Sequence, residues 1–401
     1  MAQRPSGADA STPVSAEQVR RLATDTLVTH LPLGLSGYCY DDADLFNMVV
    51  AAAAQHRSLA SVCRQLVEAP SANLVRHYLI ERLFATTDLD TLEQRCNTML
   101  VARLPAGVLG RPLRVAIDLT LRPYYGQEGL VPDQLRRGEA RAGTTRFHAY
   151  ATAFVLHAGR RVTLAVTFVY AEEALADVLR DLVTRLRQLG VRLQRLFLDR
   201  EFATVAILDW LQQQPFVSVV ALPKRGTSLK ALLTGRTSFR TTYTMRSVDW
   251  GEVTFPLWVA CRYAAGRRGH HGIDYLAFAV VGQPACALTV PQLADEYRQR
   301  FGIESRYRQT EQLRVPTTSR DPALRLLLFT ISLLLTNLWV WLKAAILAAT
   351  APRDRPSARA WLDTTFRLDA LRDLLTQALV ARYGTHLTLP YPFACSTPLK
   401  L

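Results

Sequence analysis

Three acidic side chains have the type and placement to carry out chemistry. Two apolar runs each lead into an aspartate: "LRVAIDLT" contains Asp118 and "LQRLFLDR" contains Asp199. Glu304 lies in the charged segment "EYRQRFGIESRYRQTEQLR", farther along the chain. Carboxylates gathered in one place raise each other's pKa unless cations neutralise them. Hard oxygen ligands suit Mg²⁺ or Mn²⁺, and two such ions about 4 Å apart can clamp both oxygens of a phosphoryl transfer.

The predicted order of strands and helices decides whether Asp118 and Asp199 can meet. Apolar runs and an amphipathic helix closed by Gly190 give the order βββαβαβ over residues 113–222. This is the ribonuclease-H-like arrangement, in which the first and fourth strands lie side by side. We therefore expect an α/β fold with a ribonuclease-H-like core, a β-rich insertion and helical N- and C-terminal regions.

The segment that carries Glu304 is predicted to form one helix, from near Pro291 to a point before Pro316. At about 100° per residue, steps of three, seven and fourteen residues return to nearly the same azimuth. The resulting stripe is polar and charged, whereas the stripe of a core-facing helix is apolar. It therefore indicates a cleft, and its members are Tyr297, Arg300, Glu304 and Glu311.

A basic segment, residues 223–285, separates the last core strand from this helix. Its first fifty residues hold nine Lys or Arg and two acids, Asp249 and Glu252. Six aromatic residues, including Trp250 and Trp258, are interleaved with the basic ones. This composition suits phosphate contacts combined with base stacking. The alternative is a plain β-domain whose aromatic residues form its own core.

The region before the core is predicted to be helical. Pro70 and Ser71 provide a stop and an N-cap between two short helices, which suits a helix-turn-helix. Its second helix could present Asn73, Arg76 and His77 to DNA. A short helical bundle without DNA contact has the same pattern.

Net charge and cysteine usage point to a partner and a compartment. The formal charge is +14, which favours an extended polyanion such as DNA. The six cysteines are scattered singly without a CxxC pair, as in a reducing cytosol. The N-terminus has no apolar signal region. We expect a cytoplasmic, nucleoid-associated protein.

One stretch has the composition of a membrane span. Residues 326–342, "LLLFTISLLLTNLWVWL", carry no charge over seventeen residues. That length is at the short limit for a span, and the stretch contains Thr330, Ser332, Thr336 and Asn337. We expect a buried core helix and no membrane partner; a membrane protein is the alternative.

Several motifs together resemble a known family. "AIDLTLRPYYG", "GTTRFHAYAT", "LFLDREF" and the Tyr-x2-Arg-x3-Glu spacing of Tyr297, Arg300 and Glu304 are similar to the DDE transposases of bacterial and archaeal insertion sequences. The closer similarity is to the group with a β-strand insertion between the second Asp and the Glu. The resemblance covers about residues 105–345.

The resemblance implies cut-and-paste DNA transposition. Asp118, Asp199 and Glu304 would hold two Mg²⁺ ions, with Mn²⁺ as a substitute, to cleave DNA at the element's ends and transfer the 3′-OH to target DNA. Tyr297 and Arg300 would grip phosphates. Double-stranded DNA, both ends and target, would be the partner, and bringing two ends together implies a homodimer on DNA.

Further DNA contacts are implied around this site. A Trp of the insertion, Trp250 or Trp258, would stack on a displaced base. Arg200, in "LFLDREF", joins the predicted DNA-binding residues. The sequence departs from the family pattern at Glu311, where a Lys is usual. That phosphate contact is lost, or Arg308 or Arg314 supplies it.

Two rival functions stay open. A transposase-derived DNA-binding protein without cleavage activity and a metal-dependent nuclease both fit part of the pattern.

The chain is predicted to have six parts. They are a disordered N-terminus (1–15), a helical DNA-binding region (16–104), the first part of the core (105–222), the insertion (223–285), the second part of the core (286–349) and a helical C-terminal region (350–401).

Overall fold

The fold is described from a computed structural model of the chain. It describes residues 14–35, 37, 39–126, 132–157, 161–264 and 272–386. The predicted disordered N-terminus falls almost wholly outside these residues. Ser15, at its end, caps the first helix by accepting a hydrogen bond from the Gln18 N–H.

A mixed sheet forms the centre of the molecule. Its nine strands run in the order β2-β3-β1-β5-β6-β9-β8-β7, and β4 pairs with β3. The strands are β1 (Leu113–Pro123), β2 (Arg136–Arg141), β3 (Thr144–Val155), β4 (Thr163–Val169), β5 (Leu193–Leu198), β6 (Val217–Ala221), β7 (Phe239–Ser247), β8 (Gly251–Ala264) and β9 (Gly272–Val281).

Helices flank this sheet and form a bundle beside it. The α-helices are α1 (Ala16–His30), α2 (Asp42–Gln55), α3 (Leu59–Gln65), α4 (Ala72–Tyr78), α5 (Leu89–Val101), α6 (Leu175–Gln188), α7 (Val205–Gln212), α8 (Thr227–Leu232), α9 (Val290–Arg298), α10 (Gly302–Gln312), α11 (Pro322–Ala349), α12 (Arg355–Thr365) and α13 (Leu368–Tyr383).

The predicted ribonuclease-H-like core is present. β1, β3 and β4 are antiparallel neighbours, and β5 and β6 follow in parallel on the other side of β1. The strand predicted as the fourth, β5, therefore lies beside the first. β2 was not predicted from the sequence, because it is a short polar strand whose residues give little apolar alternation.

The insertion continues the core sheet. β9 pairs with β6 in antiparallel register, and β8 and β7 extend the sheet beyond it. Its aromatic residues are divided between core and surface: Phe255 is buried and Trp250 is exposed. Some aromatic residues of the insertion therefore pack in the core and others face outward, and its phosphate contacts and base stacking stay predictions.

The long apolar helix α11 is a core element. It is long and apolar enough to cross a membrane, but 83% of its most apolar window is buried inside the chain. Asn337 donates hydrogen bonds to the carbonyls of Leu100 and Thr163 and accepts one from the Thr163 N–H. Residues of α5 and of β4 therefore satisfy its polar group.

The N-terminal helices and the C-terminal helices share one hydrophobic core. Buried residues of α1, α2, α5, α11 and α13 form a single cluster. The predicted helix-turn-helix region contains two seven-residue helices, α3 and α4, and a π-helical segment continues α4 from Leu79 to Phe84. Its role in DNA binding stays a prediction.

Candidate active site

Asp118 and Asp199 are brought together by the pairing of β1 with β5. The register places Ile117 opposite Leu198, so the two aspartates come next on adjacent parallel strands. Strand spacing of about 4.8 Å then puts their backbones side by side. Asp118 lies inside β1, and Asp199 follows β5 as the N-cap of a short 3-10 turn.

Parallel pairing between these strands stops at Ile117, whereas β1 continues to Pro123 against β3 alone. The free edge of β1 must therefore find other hydrogen-bond donors. The Tyr307 hydroxyl, on α10, lies 3.4 Å from the Asp118 carbonyl oxygen and 2.7 Å from the Thr152 hydroxyl. Tyr307 thus fixes α10 against the strand at the position of Asp118.

Arg300 spans the two carboxylates. Its two terminal nitrogens lie 3.5 Å from an Asp118 Oδ1 and 3.4 Å from an Asp199 Oδ1. Burial raises the pKa of Asp118 to about 7; the Arg300 charge opposes this rise, and the Asp199 charge adds to it. The site therefore concentrates negative charge that one guanidinium only partly compensates.

The helix predicted from Pro291 to Pro316 is interrupted. α9 ends at Arg298, a 3-10 turn covers Gln299–Phe301, and α10 begins at Gly302. The turn places Arg300 at the aspartates, where only 4% of the residue is exposed.

Tyr297 does not lie on an exposed surface. It is 4% exposed, packs against Phe197 and Phe278, and donates a hydrogen bond of 3.1 Å to the Leu198 carbonyl. This carbonyl is the last of β5, immediately before Asp199. Tyr297 and Arg300 are thus both buried and support the aspartates, and the phosphate contacts expected for them stay predictions.

Glu304 lies in α10, one helical turn before Tyr307. Its side chain is outside the part of the chain that the structure describes. Within that part, no group of three His, Cys, Asp or Glu residues is placed to hold a metal. The described donors, the oxygens of Asp118 and Asp199, are of the hard type that Mg²⁺ and Mn²⁺ prefer. Their chemistry therefore fits a divalent ion.

Glu311 forms ion pairs within the protein. It pairs with Arg122 of β1 and, at 3.5 Å, with Arg314. Arg122 is four residues beyond Asp118 and therefore on the same face of the strand. Neither Arg122 nor Tyr307 was predicted from the sequence to belong to the site. The even spacing from Asp118 and the one-turn spacing from Glu304 were the available signals.

The remaining predicted DNA-binding residues differ in exposure. Trp250, in the turn between β7 and β8, is 66% exposed. Trp258 is 5% exposed, and Arg240 lies over its ring at 3.8 Å, so of the two tryptophans only Trp250 presents an open face. Three of the predicted DNA-binding arginines are exposed. The Arg76 guanidinium donates to the Asn73 side chain, and the backbone N–H of Arg200 donates to the Asp199 carboxylate. Arg308 lies on α10.

Comparisons with known proteins identify the family and support the fold. The family described as "Transposase DDE domain" matches residues 110–338. A solved structure, described as a piggyBac transposase synaptic complex with hairpin DNA, is similar with a TM-score of 0.52 and 12% identity, over 94% of this chain and 84% of that chain. No curated protein matches. Because the matched region spans more than half of the 401 residues, the chain belongs to the transposase family with a DDE domain.

Proposed function

We propose that the protein performs cut-and-paste transposition. It hydrolyses a phosphodiester at each end of a mobile element and joins the freed 3′-OH to target DNA. The observation that carries the proposal is the pair of aspartates on adjacent strands, held within 3.5 Å of one buried arginine. Membership of the transposase family supports the reaction class.

Asp118, Asp199 and Glu304 are the proposed ligands of two divalent ions, Mg²⁺ or, as a substitute, Mn²⁺. When bound, such ions activate water and offset the charge that develops on the attacking and leaving oxygens. The chain's own residues hold the ligands in place. Tyr297 and Tyr307 bind the carbonyls of Leu198 and Asp118, which sets the positions of the two strands.

The DNA surface that we propose consists of exposed groups. Arg200, Arg308 and Arg76 are exposed cations that can contact phosphates, and Trp250 can stack on a displaced base. Two copies of the chain would act on paired element ends, on nucleoid DNA in the cytoplasm. The similar structure is described as a synaptic complex with hairpin DNA, which supports a DNA partner.

A cleavage assay tests this proposal. DNA fragments from both flanks of the gene are incubated with Mg²⁺ and a supercoiled target plasmid. Wild type is compared with Asp118→Ala, Asp199→Ala and Glu304→Ala. We expect cuts at defined flank positions and joined products from the wild type only.

Other outcomes identify the rival functions. Cleavage that survives in all three variants would overturn the proposed site. Specific binding to the flanks without any cut would indicate a transposase-derived DNA-binding protein. Cuts without joined products would indicate a metal-dependent nuclease.

A further inference from the structure

A cavity of about 500 Å³ opens beside the free end of β1. Four of its lining residues are arginines: Arg122, Arg314, Arg320 and Arg325. None of the lining residues is acidic. Among the described residues, the carboxylate paired with these arginines is Glu311, which Arg122 and Arg314 share. The cavity therefore holds an excess of positive charge.

Arg325 is fixed in place without an acidic partner among the described residues. Its Nε donates to the Ser319 carbonyl at 2.6 Å, and a terminal nitrogen donates to the Pro123 carbonyl at 3.2 Å. Backbone carbonyls orient the guanidinium but do not neutralise it. Burial lowers the pKa of Arg325, with a contribution from the Arg314 charge. An anion in the cavity would relieve this accumulation of charge.

The floor of the cavity supplies a further unused donor. Tyr150 is 1% exposed and stacks on Phe329 with ring centroids 4.7 Å apart. Its hydroxyl has no hydrogen-bond partner in the described part of the chain. A buried hydroxyl without a partner costs free energy, so its retention at a cationic cavity is consistent with a bound ligand that accepts its hydrogen bond.

The cavity lies close to the proposed cleavage site. Arg122 is four residues beyond Asp118 on the same face of β1, which corresponds to about 13 Å. Successive phosphates of one DNA strand advance by about 3.4 Å along the helix axis. A strand whose phosphodiester is at Asp118 therefore has phosphates within reach of the cavity.

We propose that this cavity, which we call the Arg325 pocket, binds a phosphate group of the DNA strand that is cut. The inference rests on the proposed function in placing the strand at Asp118. Arg314, Arg320 and Arg325 contact the phosphate oxygens, and the Tyr150 hydroxyl donates to them. Guanidinium groups suit this ligand because they bind phosphate through two parallel hydrogen bonds.

The test measures binding without cleavage. Fluorescein-labelled single-stranded oligonucleotides, with either a 5′-phosphate or a 5′-hydroxyl, are titrated in EDTA over a range of salt concentrations. The double variant Arg314→Ala/Arg320→Ala is compared with Arg353→Ala/Arg359→Ala, which removes the same charge from exposed positions near and on α12. Thermal unfolding of each variant checks its fold.

We expect the pocket variant to lower the slope of log K against log salt by about 0.7, which corresponds to one lost phosphate contact on single-stranded DNA. The control should change it by much less. Tyr150→Phe, which keeps the ring, should weaken binding roughly two- to tenfold. A loss confined to the 5′-phosphorylated oligonucleotide identifies a terminal phosphate; an equal loss for both identifies a backbone phosphodiester.

Equal slopes for the pocket and control variants, with Tyr150→Phe binding like the wild type, would overturn the inference. Because EDTA removes the metal requirement, this result is independent of the cleavage assay. Failure of Asp118-dependent cleavage together with a pocket-specific loss would remove the catalytic proposal and retain the phosphate site.

Discussion

Glu93 is a buried carboxyl and Asp118 a half-buried one, and burial raises the pKa of each to about 7. Their surroundings differ. Glu93, on α5, accepts hydrogen bonds from the Thr167 hydroxyl and the Phe168 N–H, and it pairs with Arg185. Asp118 faces a second carboxylate, with Arg300 3.5 Å away. A raised pKa alone therefore does not identify a functional acid.

What separates the two acids is how the surrounding protein satisfies them. The donors around Glu93 come from β4 and α6, and they join these elements to α5. At Asp118 the nearest cation is shared with Asp199, and the strand edge is open beyond Ile117. The first arrangement stabilises the fold. The second leaves ligand capacity for a cation and is the one we assign to catalysis.

The largest expected effect is that of Asp118→Asn on cleavage. Loss of a ligand that supplies several kcal/mol of transition-state stabilisation should slow single-turnover cleavage by about 10³-fold or more. Removing a half-buried anion should leave the free energy of unfolding unchanged or higher. Single-turnover kinetics and chemical denaturation measure the two quantities. A folded variant that cleaves at the wild-type rate would remove Asp118 from the site.

Glu93→Gln should give the opposite result. It breaks a buried ion pair and replaces an acceptor with a donor, so the free energy of unfolding should fall by about 3 kcal/mol. The cleavage rate per folded molecule should stay at the wild-type value. The same two assays apply. Slow cleavage with unchanged stability would show that the distinction between the two acids is wrong.

Asn337→Leu tests a buried polar group that is neutral, unlike Glu93 and Asp118. The substitution leaves the Thr163 N–H and two carbonyls without the partner they have now. The free energy of unfolding should fall by about 3 kcal/mol or more, since three buried polar groups lose their partner and each costs about 1–3 kcal/mol. Chemical denaturation provides the value, and Asn337→Ser, with a smaller polar side chain, is the companion variant. Increased stability would contradict the hydrogen-bonded core position.

Glu311→Gln should have the smallest effect. Glu311 is partly exposed, so solvent screening limits its contribution to stability to less than about 1 kcal/mol. Because the change frees positive charge on Arg122 and Arg314, affinity for single-stranded DNA should rise by about two- to threefold. Fluorescence anisotropy measures this change. Weaker binding would mean that Glu311 holds the arginines in their binding positions.

The sequence was sufficient to predict the core topology and the meeting of two of the acids. Apolar runs that end in Asp118 and Asp199, in the order βββαβαβ, define adjacent strands because the topology permits few alternatives. The interruption between α9 and α10 was not predicted from the sequence. Its 3-10 turn at Gln299–Phe301 depends on contacts with the sheet, which periodicity cannot indicate.

Exposure was the other property that the sequence did not provide. Trp250 and Trp258 are both aromatic residues among basic ones, yet one is exposed and the other packs under Arg240. The outcome depends on how β8 lies between β7 and β9. In the same way, Tyr297 could be assigned to the site from its spacing, but its bond to the Leu198 carbonyl required the strand end to be placed.

The most direct test of the central claim is a change of metal preference at Asp118. Thiolate ligands favour softer metals than carboxylates do, and Mn²⁺ accepts them better than Mg²⁺. Asp118→Cys should therefore be inactive in Mg²⁺ and recover measurable cleavage in Mn²⁺, whereas Asp118→Ala should be inactive in both. Equal inactivity of both variants in Mn²⁺, or equal activity in Mg²⁺, would contradict the assignment of Asp118 as a metal ligand.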